Sequence, residues 1–208
     1  MPRSGIDMQE KAFLEAVPRD AGSTASRDHT DTTSEITAIV LGCQQNDRES
    51  RWQLYERFGQ KVYGHMVRMA GPDDAADLTQ QVFLQVFQSI RQFAAQARFD
   101  TWLYRVATNE ALQHLRRRKR RPTTSLPDEP LDERPNRSDN FELRELLDRA
   151  LARLDDQLRS LFLLREVEAL SYHQISEVLG IPEGTVGSRL NRARNELRQH
   201  LTASGWAA

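Results

Sequence analysis

The chain has 208 residues, of which 38% are hydrophobic and 28% charged, and its formal net charge is −1. This length suits one large domain or two small ones, and the composition excludes a wholly disordered chain. The sequence lacks both an apolar run near the ~18 residues that span a bilayer and the pattern of a secretory signal, so we expect a cytoplasmic protein without membrane insertion.

The N-terminal third of the sequence divides into a polar tail and two helices. Residues 1–33 show no sustained hydrophobic period, and we expect a disordered tail, with a short partner-docking helix around Met8 to Val17 as the alternative. Between Ser34 and Ala70 we expect two helices, the first capped by Ser34. The second has a stripe of apolar residues at steps of three and four, which predicts burial of Tyr55, Phe58, Val62, Met66 and Met69.

The single cysteine, Cys43, excludes an internal disulfide and a multi-cysteine metal site. Its helical spacing from Ile36, Ile39 and Val40 favours a small buried hydrophobic side chain over a redox sensor.

A third helix is predicted after Gly71 and Pro72, where Asp73 and Asp74 suit the positive end of the helix dipole. The predicted inner face is apolar and consists of Leu78, Val82, Phe83, Val86, Phe87 and Ile90. The outer face is polar with few cations and consists of Asp74, Asp77, Gln80, Gln81, Gln85 and Gln88. Such a face indicates either a protein partner or a plain solvated surface.

A loop from Phe93 to Phe99 precedes the fourth helix, for which Asp100 and Thr101 are the predicted cap. The pattern places Leu103, Val106, Ala107, Ala111 and Leu115 inside and Arg105, Thr108, Asn109 and Arg116 outside, with Trp102 and Tyr104 at the borders. The helix ends in a basic run, residues 116–121. Cations that follow phosphates beside rings that stack on unpaired bases are typical of single-strand binding. Buried rings with a solvated basic helix end are the alternative.

Residues 122–138 form an acidic, proline-rich linker, which predicts a domain boundary. Four helices are predicted after it. Asp139 with Glu142 begins the first, whose stripe is Leu143, Leu147, Ala150, Leu151 and Leu154; Asp155 and Asp156 begin the second, which buries Leu158, Leu161, Phe162 and the stem of Arg165.

The last two helices are predicted to form a helix-turn-helix. Ser171 and Gln174 have the spacing of a reciprocal capping box, Gly180 suits the end of a first helix, and Pro182 suits the start of a second. The second helix carries a stripe of apolar side chains that consists of Val186, Leu190, Ala193, Leu197 and Leu201.

The opposite face of that second helix consists of Ser188, Asn191, Arg192 and Asn195, side chains that hydrogen-bond base edges in the major groove. Arg189, Arg194 and Arg198 on its flanks suit phosphates. A solvated amphipathic helix is the alternative. Gly187 costs roughly 1 kcal/mol in a helix interior, and we expect it to allow close approach of the backbone to DNA.

The fold expected is therefore all-α, with two small helical domains, residues 34–121 and 139–203, joined by a flexible linker, the second containing the helix-turn-helix. Three segments, residues 73–83, 99–109 and 184–194, stand in the order and spacing of one family. By these segments the chain resembles the extracytoplasmic-function group of bacterial RNA polymerase sigma factors, in the sigma-70 family, over residues 34–201.

The resemblance implies a transcription initiation factor that binds core RNA polymerase, through the β′ clamp helices and the β flap, and directs it to promoter DNA. It also implies an anti-sigma partner. The residues implied for polymerase binding are Asp74, Asp77, Gln80, Gln81 and Gln85. Those implied for the melted minus-ten strand are Phe93, Arg98, Phe99, Trp102, Tyr104, Arg105, Thr108, Asn109, Arg116 and Arg117. Those implied for the minus-thirty-five duplex are Thr185, Gly187, Ser188, Arg189, Asn191, Arg192 and Arg194.

Nothing in the sequence resembles a catalytic constellation: the histidines are scattered, and neither a phosphate-cradling glycine loop nor metal-ligand spacing is present. We therefore expect no enzyme, cofactor or metal site. Two other functions stay open at this point. One is a stand-alone helix-turn-helix regulator that binds duplex DNA without polymerase, and the other is an adaptor that acts only through protein contacts.

Overall fold

The computed structural model of the chain describes residues 29–94, 98–120 and 139–204. Residues 1–28 of the expected tail and the linker expected over residues 122–138 lie outside the described residues. The regular elements within the described ranges are all helical, which confirms the all-α prediction.

The N-terminal half contains α1 (His29–Gln44), α2 (Arg48–Ala70), α3 (Pro72–Ser89), a short 3-10 turn (Ile90–Gln92) and α4 (Phe99–Arg120). Asp47 caps α2, because its carboxylate accepts the Ser50 backbone N–H at 2.8 Å. Gly71 ends α2 with a φ of 98°, a value that favours glycine, and Pro72 follows as the first residue of α3.

Three expectations for this half were wrong. Helix α1 begins at His29, so Ser34 lies within it and does not cap it, and residues 29–33 do not belong to a disordered tail. Tyr55 is 43% exposed rather than buried, because its ring contacts Phe83 from outside the core at a centroid distance of 4.9 Å. The other four residues of the predicted α2 stripe are buried.

Cys43 is buried, with 1% of its surface exposed, as its spacing predicts. Burial raises the pKa of its thiol, which keeps the sulfur protonated and unreactive at neutral pH.

The C-terminal half contains α5 (Asp139–Ala152), α6 (Asp156–Glu166), α7 (Tyr172–Leu179) and α8 (Glu183–Ala203). The Ser171 backbone N–H donates to Gln174 at 2.9 Å and the Gln174 backbone N–H donates to Ser171 at 3.2 Å, which confirms the capping box. Gly180 ends α7 with a φ of 65°, whereas Pro182 is the N-cap of α8 rather than its first residue. All five residues of the predicted α8 stripe are buried.

The two halves pack together, with α4 against α7 and α2 against α5 and α6. Arg159 of α6 is the most buried cation of this contact. It donates to the backbone carbonyl oxygens of Met69 at 2.7 Å, Ala152 at 2.7 Å and Leu154 at 3.3 Å. Lys119 of α4 also pairs with Asp156 of α6 at 2.6 Å. The apolar cores of the two halves are therefore continuous.

Along the described ranges, every helix is too short or too polar to cross a lipid bilayer.

Candidate functional site

The outer face of α3 is a polar strip that also carries an exposed leucine. Asp77, Gln80 and Gln81 are exposed, as the sequence predicts. Leu84 lies on the same face, three and four residues further along, and 55% of its surface is exposed. Gln85 is also exposed, but its amide donates to Glu110 of α4 at 3.1 Å.

Asp74, at the start of α3, contacts α4 rather than standing free. Its carboxylate lies 3.0 Å from the His114 Nε2 atom and 3.5 Å from the Arg118 Nη1 atom. It therefore helps to hold α4 against α3.

Three aromatic rings form a cluster at the start of α4. The ring centroids of Phe93 and Trp102 are 5.3 Å apart, and both lie within 5.7 Å of Phe99. Phe99 is buried and contacts Phe58 of the core at 5.3 Å, whereas Phe93 and Trp102 are half-buried. Phe99 thus supports two partly accessible rings, and the predicted loop ends one residue earlier because α4 begins at Phe99.

Arg98 and Arg105 lie beside the aromatic cluster and are exposed, as is Asn109 one turn further along α4. Arg98 also pairs with Asp100 at 3.3 Å, a contact between exposed groups that contributes little to stability. Partly accessible rings beside exposed cations are the combination that an unpaired strand requires.

The prediction that Thr108 lies on the exposed face of α4 was wrong. Thr108 is fully buried, because that side of α4 faces α2, where its hydroxyl lies 3.3 Å from the His65 Nε2 atom. Tyr104 is buried as well and donates its hydroxyl to Glu168. Burial and the Glu168 charge raise the pKa of Tyr104, so the phenol remains a donor.

The basic end of α4 is partly neutralised by acidic side chains. Arg116 is exposed, whereas Arg117 pairs with the buried carboxylate of Glu110 at 2.8 Å. Only part of the predicted basic run is consequently available to phosphates.

The outward face of α8 is arranged as its sequence predicts. Ser188, Asn191 and Arg192 are exposed. Arg192 pairs with Glu196 one turn along at 2.7 Å, and this hydrogen bond raises the pKa of Arg192. The Thr185 hydroxyl donates to the Pro182 carbonyl oxygen at 2.7 Å.

Two arginines on the flanks of α8 differ in their surroundings from Arg192. Arg189 is half-buried, and Arg194 pairs with Glu166 of α6 at 2.6 Å. Arg194 therefore links α8 to α6, in addition to any contact with a phosphate.

Gly187 faces the neighbouring helix α7. A Cβ atom at this position would lie 3.5 Å from the Tyr172 ring, which is an ordinary contact distance. The packing of the protein alone therefore does not require glycine here.

Two family models match the chain and together cover more than half of it. Sigma-70 region 2 matches residues 54–121, which include α3 and α4, and sigma-70 region 4 matches residues 144–197, which include α7 and most of α8. The ECF RNA polymerase sigma-E factor of Haemophilus influenzae is 32% identical over 79% of this chain and 94% of its own length. The chain belongs to the extracytoplasmic-function group of the sigma-70 family.

Other relatives agree with this assignment, and two solved structures share the fold. The sigma-E factor of Escherichia coli is 30% identical over 76% of this sigma factor and 90% of its own length, and SigE of Mycolicibacterium smegmatis is 36% identical over 72% and 60%. CnrH in complex with the cytosolic domain of CnrY has a similar fold, with a TM-score of 0.62 at 21% identity over 80% of this chain and 96% of that one. RpoE of Bartonella quintana, solved in complex with the anti-sigma factor NepR, has a TM-score of 0.61. It is 23% identical, and the match covers 72% of this chain and 95% of that one.

Membership of this family decides between the functions that the sequence left open. The protein is a transcription initiation factor that binds core RNA polymerase and directs it to promoters, and it is not an enzyme. The stand-alone regulator is therefore not supported.

Sequence reasoning missed several residues of the sigma factor that the structure brings to these surfaces. Leu84 interrupts the polar face of α3. Its spacing of three and four residues from Gln81 and Gln80 would have placed it on that face. His65, Glu168 and Gln174 contact α4 or its neighbours from distant parts of the chain, and no local pattern signals such contacts.

Proposed function

We propose that promoter recognition by this sigma factor is divided among three surfaces. The outer face of α3 binds the clamp helices of the polymerase β′ subunit, the aromatic cluster with α4 binds the melted minus-ten strand, and the outward face of α8 reads the minus-thirty-five duplex. The C-terminal half, which consists of α5 to α8, also contacts the β flap of the polymerase. The observation that carries the proposal is the pair of partly accessible rings, Phe93 and Trp102, held on Phe99 beside exposed arginines.

The polymerase surface combines polar groups with one exposed leucine. Asp77, Gln80 and Gln81 supply hydrogen-bonding groups, and Leu84 supplies exposed apolar area beside them. This arrangement is typical of protein interfaces, where a small apolar centre is surrounded by a polar rim. Asp74 and Gln85 contribute at the edge, because both are partly engaged with α4.

The strand surface stacks unpaired bases on Trp102 and Phe93 while cations neutralise the phosphates. Each stacked base contributes about 1–3 kcal/mol. Arg98, Arg105 and Arg116 are exposed along the path from the aromatic cluster to the end of α4. The chain contributes binding energy to strand opening and no chemical step.

The duplex surface reads base edges with Ser188, Asn191 and Arg192, while Arg189 and Arg194 hold phosphates on either flank. Arg192 must exchange Glu196 for a base or a phosphate when DNA binds. Because that pair is exposed, the exchange costs little.

An anti-sigma protein is the expected regulatory partner in the cytoplasm. The support is that RpoE of Bartonella quintana, which shares the fold, was solved in complex with an anti-sigma factor.

The test of the strand assignment is transcription with purified core polymerase, comparing wild type, Trp102→Ala and Trp102→Phe. We expect wild type to give specific run-off products. Trp102→Ala should lower the permanganate reactivity of minus-ten thymines about tenfold, since one stacked base is lost, and should leave closed-complex binding unchanged. Trp102→Phe keeps a ring and should restore most of the reactivity. Equal loss of closed-complex binding and of opening by Trp102→Ala would contradict the assignment.

A further inference from the structure

An aromatic stripe runs along α2. It consists of Trp52, Tyr55, Gly59 and Tyr63, which follow one another at steps of three, four and four and therefore lie on one side of the helix. Trp52 is 58% exposed, Tyr55 43% and Tyr63 38%. Six large hydrophobic side chains are exposed in the part of the chain that the structure describes, and half of them lie on this stripe. Such a concentration indicates a surface that another element covers.

The stripe has a defined shape. The ring centroids of Trp52 and Tyr55 are 6.5 Å apart, and the Tyr55 ring is supported by Phe83 of α3 at 4.9 Å. A Cβ atom on Gly59 would lie 3.5 Å from the Tyr55 ring, so this ring lies beside the glycine. Because Gly59 has no side chain, the stripe has a shallow gap between Tyr55 and Tyr63. Apolar side chains of a docked helix anchor themselves in gaps of this kind.

Helix α1 packs on a different side of α2 and does not cover the stripe. Glu35 of α1 pairs with Arg57 of α2 at 2.7 Å. Arg57 is five residues from Trp52, which is about 140° around the helix axis. The stripe therefore faces away from α1, and the surfaces assigned above for DNA, on α4 and α8, do not include it.

Residues 6–17 have the sequence of an element that fits the stripe. Ile6, Phe13 and Val17 recur at steps of seven and four, which places them on one face of a predicted helix. The opposite face of this predicted helix is charged and consists of Asp7, Lys11 and Glu15. Twelve residues of helix extend about 18 Å, and the stripe from Trp52 to Tyr63 extends about 17 Å. This segment lies outside the described residues, and the match rests on its sequence.

The connection to α1 brings the segment to the stripe. A loop of three residues, 45–47, joins α1 to α2, so the two helices run antiparallel. Since Glu35 lies opposite Arg57, the first residue of α1, His29, lies beside the part of α2 near Tyr63. Residues 18–28 connect the segment to His29, and eleven residues extend up to about 36–40 Å. That length is ample to pass around α2, whose diameter with side chains is about 10–12 Å.

We propose that residues 6–17 form a helix that docks along the aromatic stripe of α2, with Phe13 in the gap at Gly59. The connection begins at the Tyr63 end, so Val17 lies at that end of the stripe. A twelve-residue helix is marginal in water by itself, and burial of its apolar face on the stripe supplies the missing stability. The N-terminal segment is therefore a structural part of the N-terminal half.

The proposal is tested by the fluorescence of Trp52 in the full-length chain. Trp102→Phe and Trp206→Phe leave Trp52 as the one tryptophan of the three in the sequence. In this parent chain, Phe13→Asp should shift the Trp52 emission to longer wavelength and raise its quenching by acrylamide, because a carboxylate does not stay in an apolar gap. Met8→Asp is the matched control, since Met8 lies on the charged face of the predicted helix, and it should change neither property. Circular dichroism checks folding. Identical spectra and quenching in the parent chain and both variants would overturn the proposal.

Two other occupants of the stripe give different results. If a second copy of the chain covers it, the quenching of Trp52 falls as the protein concentration rises, and sedimentation shows a dimer. If core polymerase covers it, the free parent and Phe13→Asp chains show equal quenching, which falls only when core polymerase is added. Either result would contradict docking of the segment. Protection of Trp52 that does not depend on protein concentration and is lost in Phe13→Asp supports it.

Discussion

Arg117→Ala is the substitution that separates a structural role from DNA binding most sharply. Arg117 belongs to the predicted strand surface, yet its guanidinium lies 2.8 Å from the carboxylate of Glu110. The side chain of Glu110 is 5% exposed and that of Arg117 is 62% exposed. Truncation leaves Glu110 with the Gln85 amide, at 3.1 Å, as its remaining hydrogen-bond donor.

The size of the effect follows from these exposures. Removing one partner of a fully buried ion pair costs about 3–5 kcal/mol, because the other charge is left uncompensated. Water reaches the outer part of Arg117 and replaces some of the lost contact, and a hydrogen bond to a charged group contributes about 1.5–3 kcal/mol. We therefore expect Arg117→Ala to lower the free energy of unfolding by about 1–3 kcal/mol.

The assay is urea unfolding followed by the helical circular dichroism signal. Arg116→Ala removes a neighbouring exposed arginine and should change the free energy by no more than about 0.5 kcal/mol. Adding Glu110→Gln to Arg117→Ala should recover stability, since a neutral amide needs no counter-charge. Equal stability of the Arg116 and Arg117 variants would refute the structural role assigned to the ion pair.

Three further predictions follow from exposure and backbone geometry. Leu84→Arg should weaken core polymerase binding without changing stability, whereas Leu41→Arg, at a similarly exposed leucine on α1, should leave affinity intact; equal effects would contradict the α3 interface. Arg192→Ala should weaken promoter duplex binding about tenfold in a fluorescence anisotropy titration, and an unchanged affinity would remove it from the duplex surface. Gly187→Ala should stabilise α8 by up to about 1 kcal/mol, because the new Cβ fits beside Tyr172. Gly180→Ala should destabilise the chain, because the φ of this residue is 65°. Thermal unfolding measures both changes in stability, and changes of the same sign would refute this account.

Local patterns predict helices and their ends well in this chain. The capping box at Ser171 and Gln174 and the buried stripe of α8 depend on residues within a few turns of one another, so their spacing alone determines them. The cap predicted at Ser34 failed because a polar segment without an apolar period extends α1 by five residues, and hydrophobic spacing does not report on such a segment.

Contacts between distant parts of the chain were not predictable from spacing. Helical period places Thr108 on the polar side of α4, but it does not show that His65 lies opposite and supplies a polar neighbour inside the core. Tyr55 has the sequence spacing of a buried residue of α2, yet it lies at the edge of the core, where its ring packs on Phe83 from outside. The candidate surfaces were thus predicted as helix faces, while their coverage depends on tertiary packing.

The hydrogen bonds of Arg159 are divided unequally between the two halves of the protein. Two of its three carbonyl partners, Ala152 and Leu154, belong to its own half, and only Met69 belongs to the other. If the two halves separate, Arg159 therefore keeps two of its three hydrogen-bond acceptors. The Met69 carbonyl, near the end of α2, becomes open to hydration. In either arrangement the guanidinium is oriented by two carbonyl oxygens of its own half.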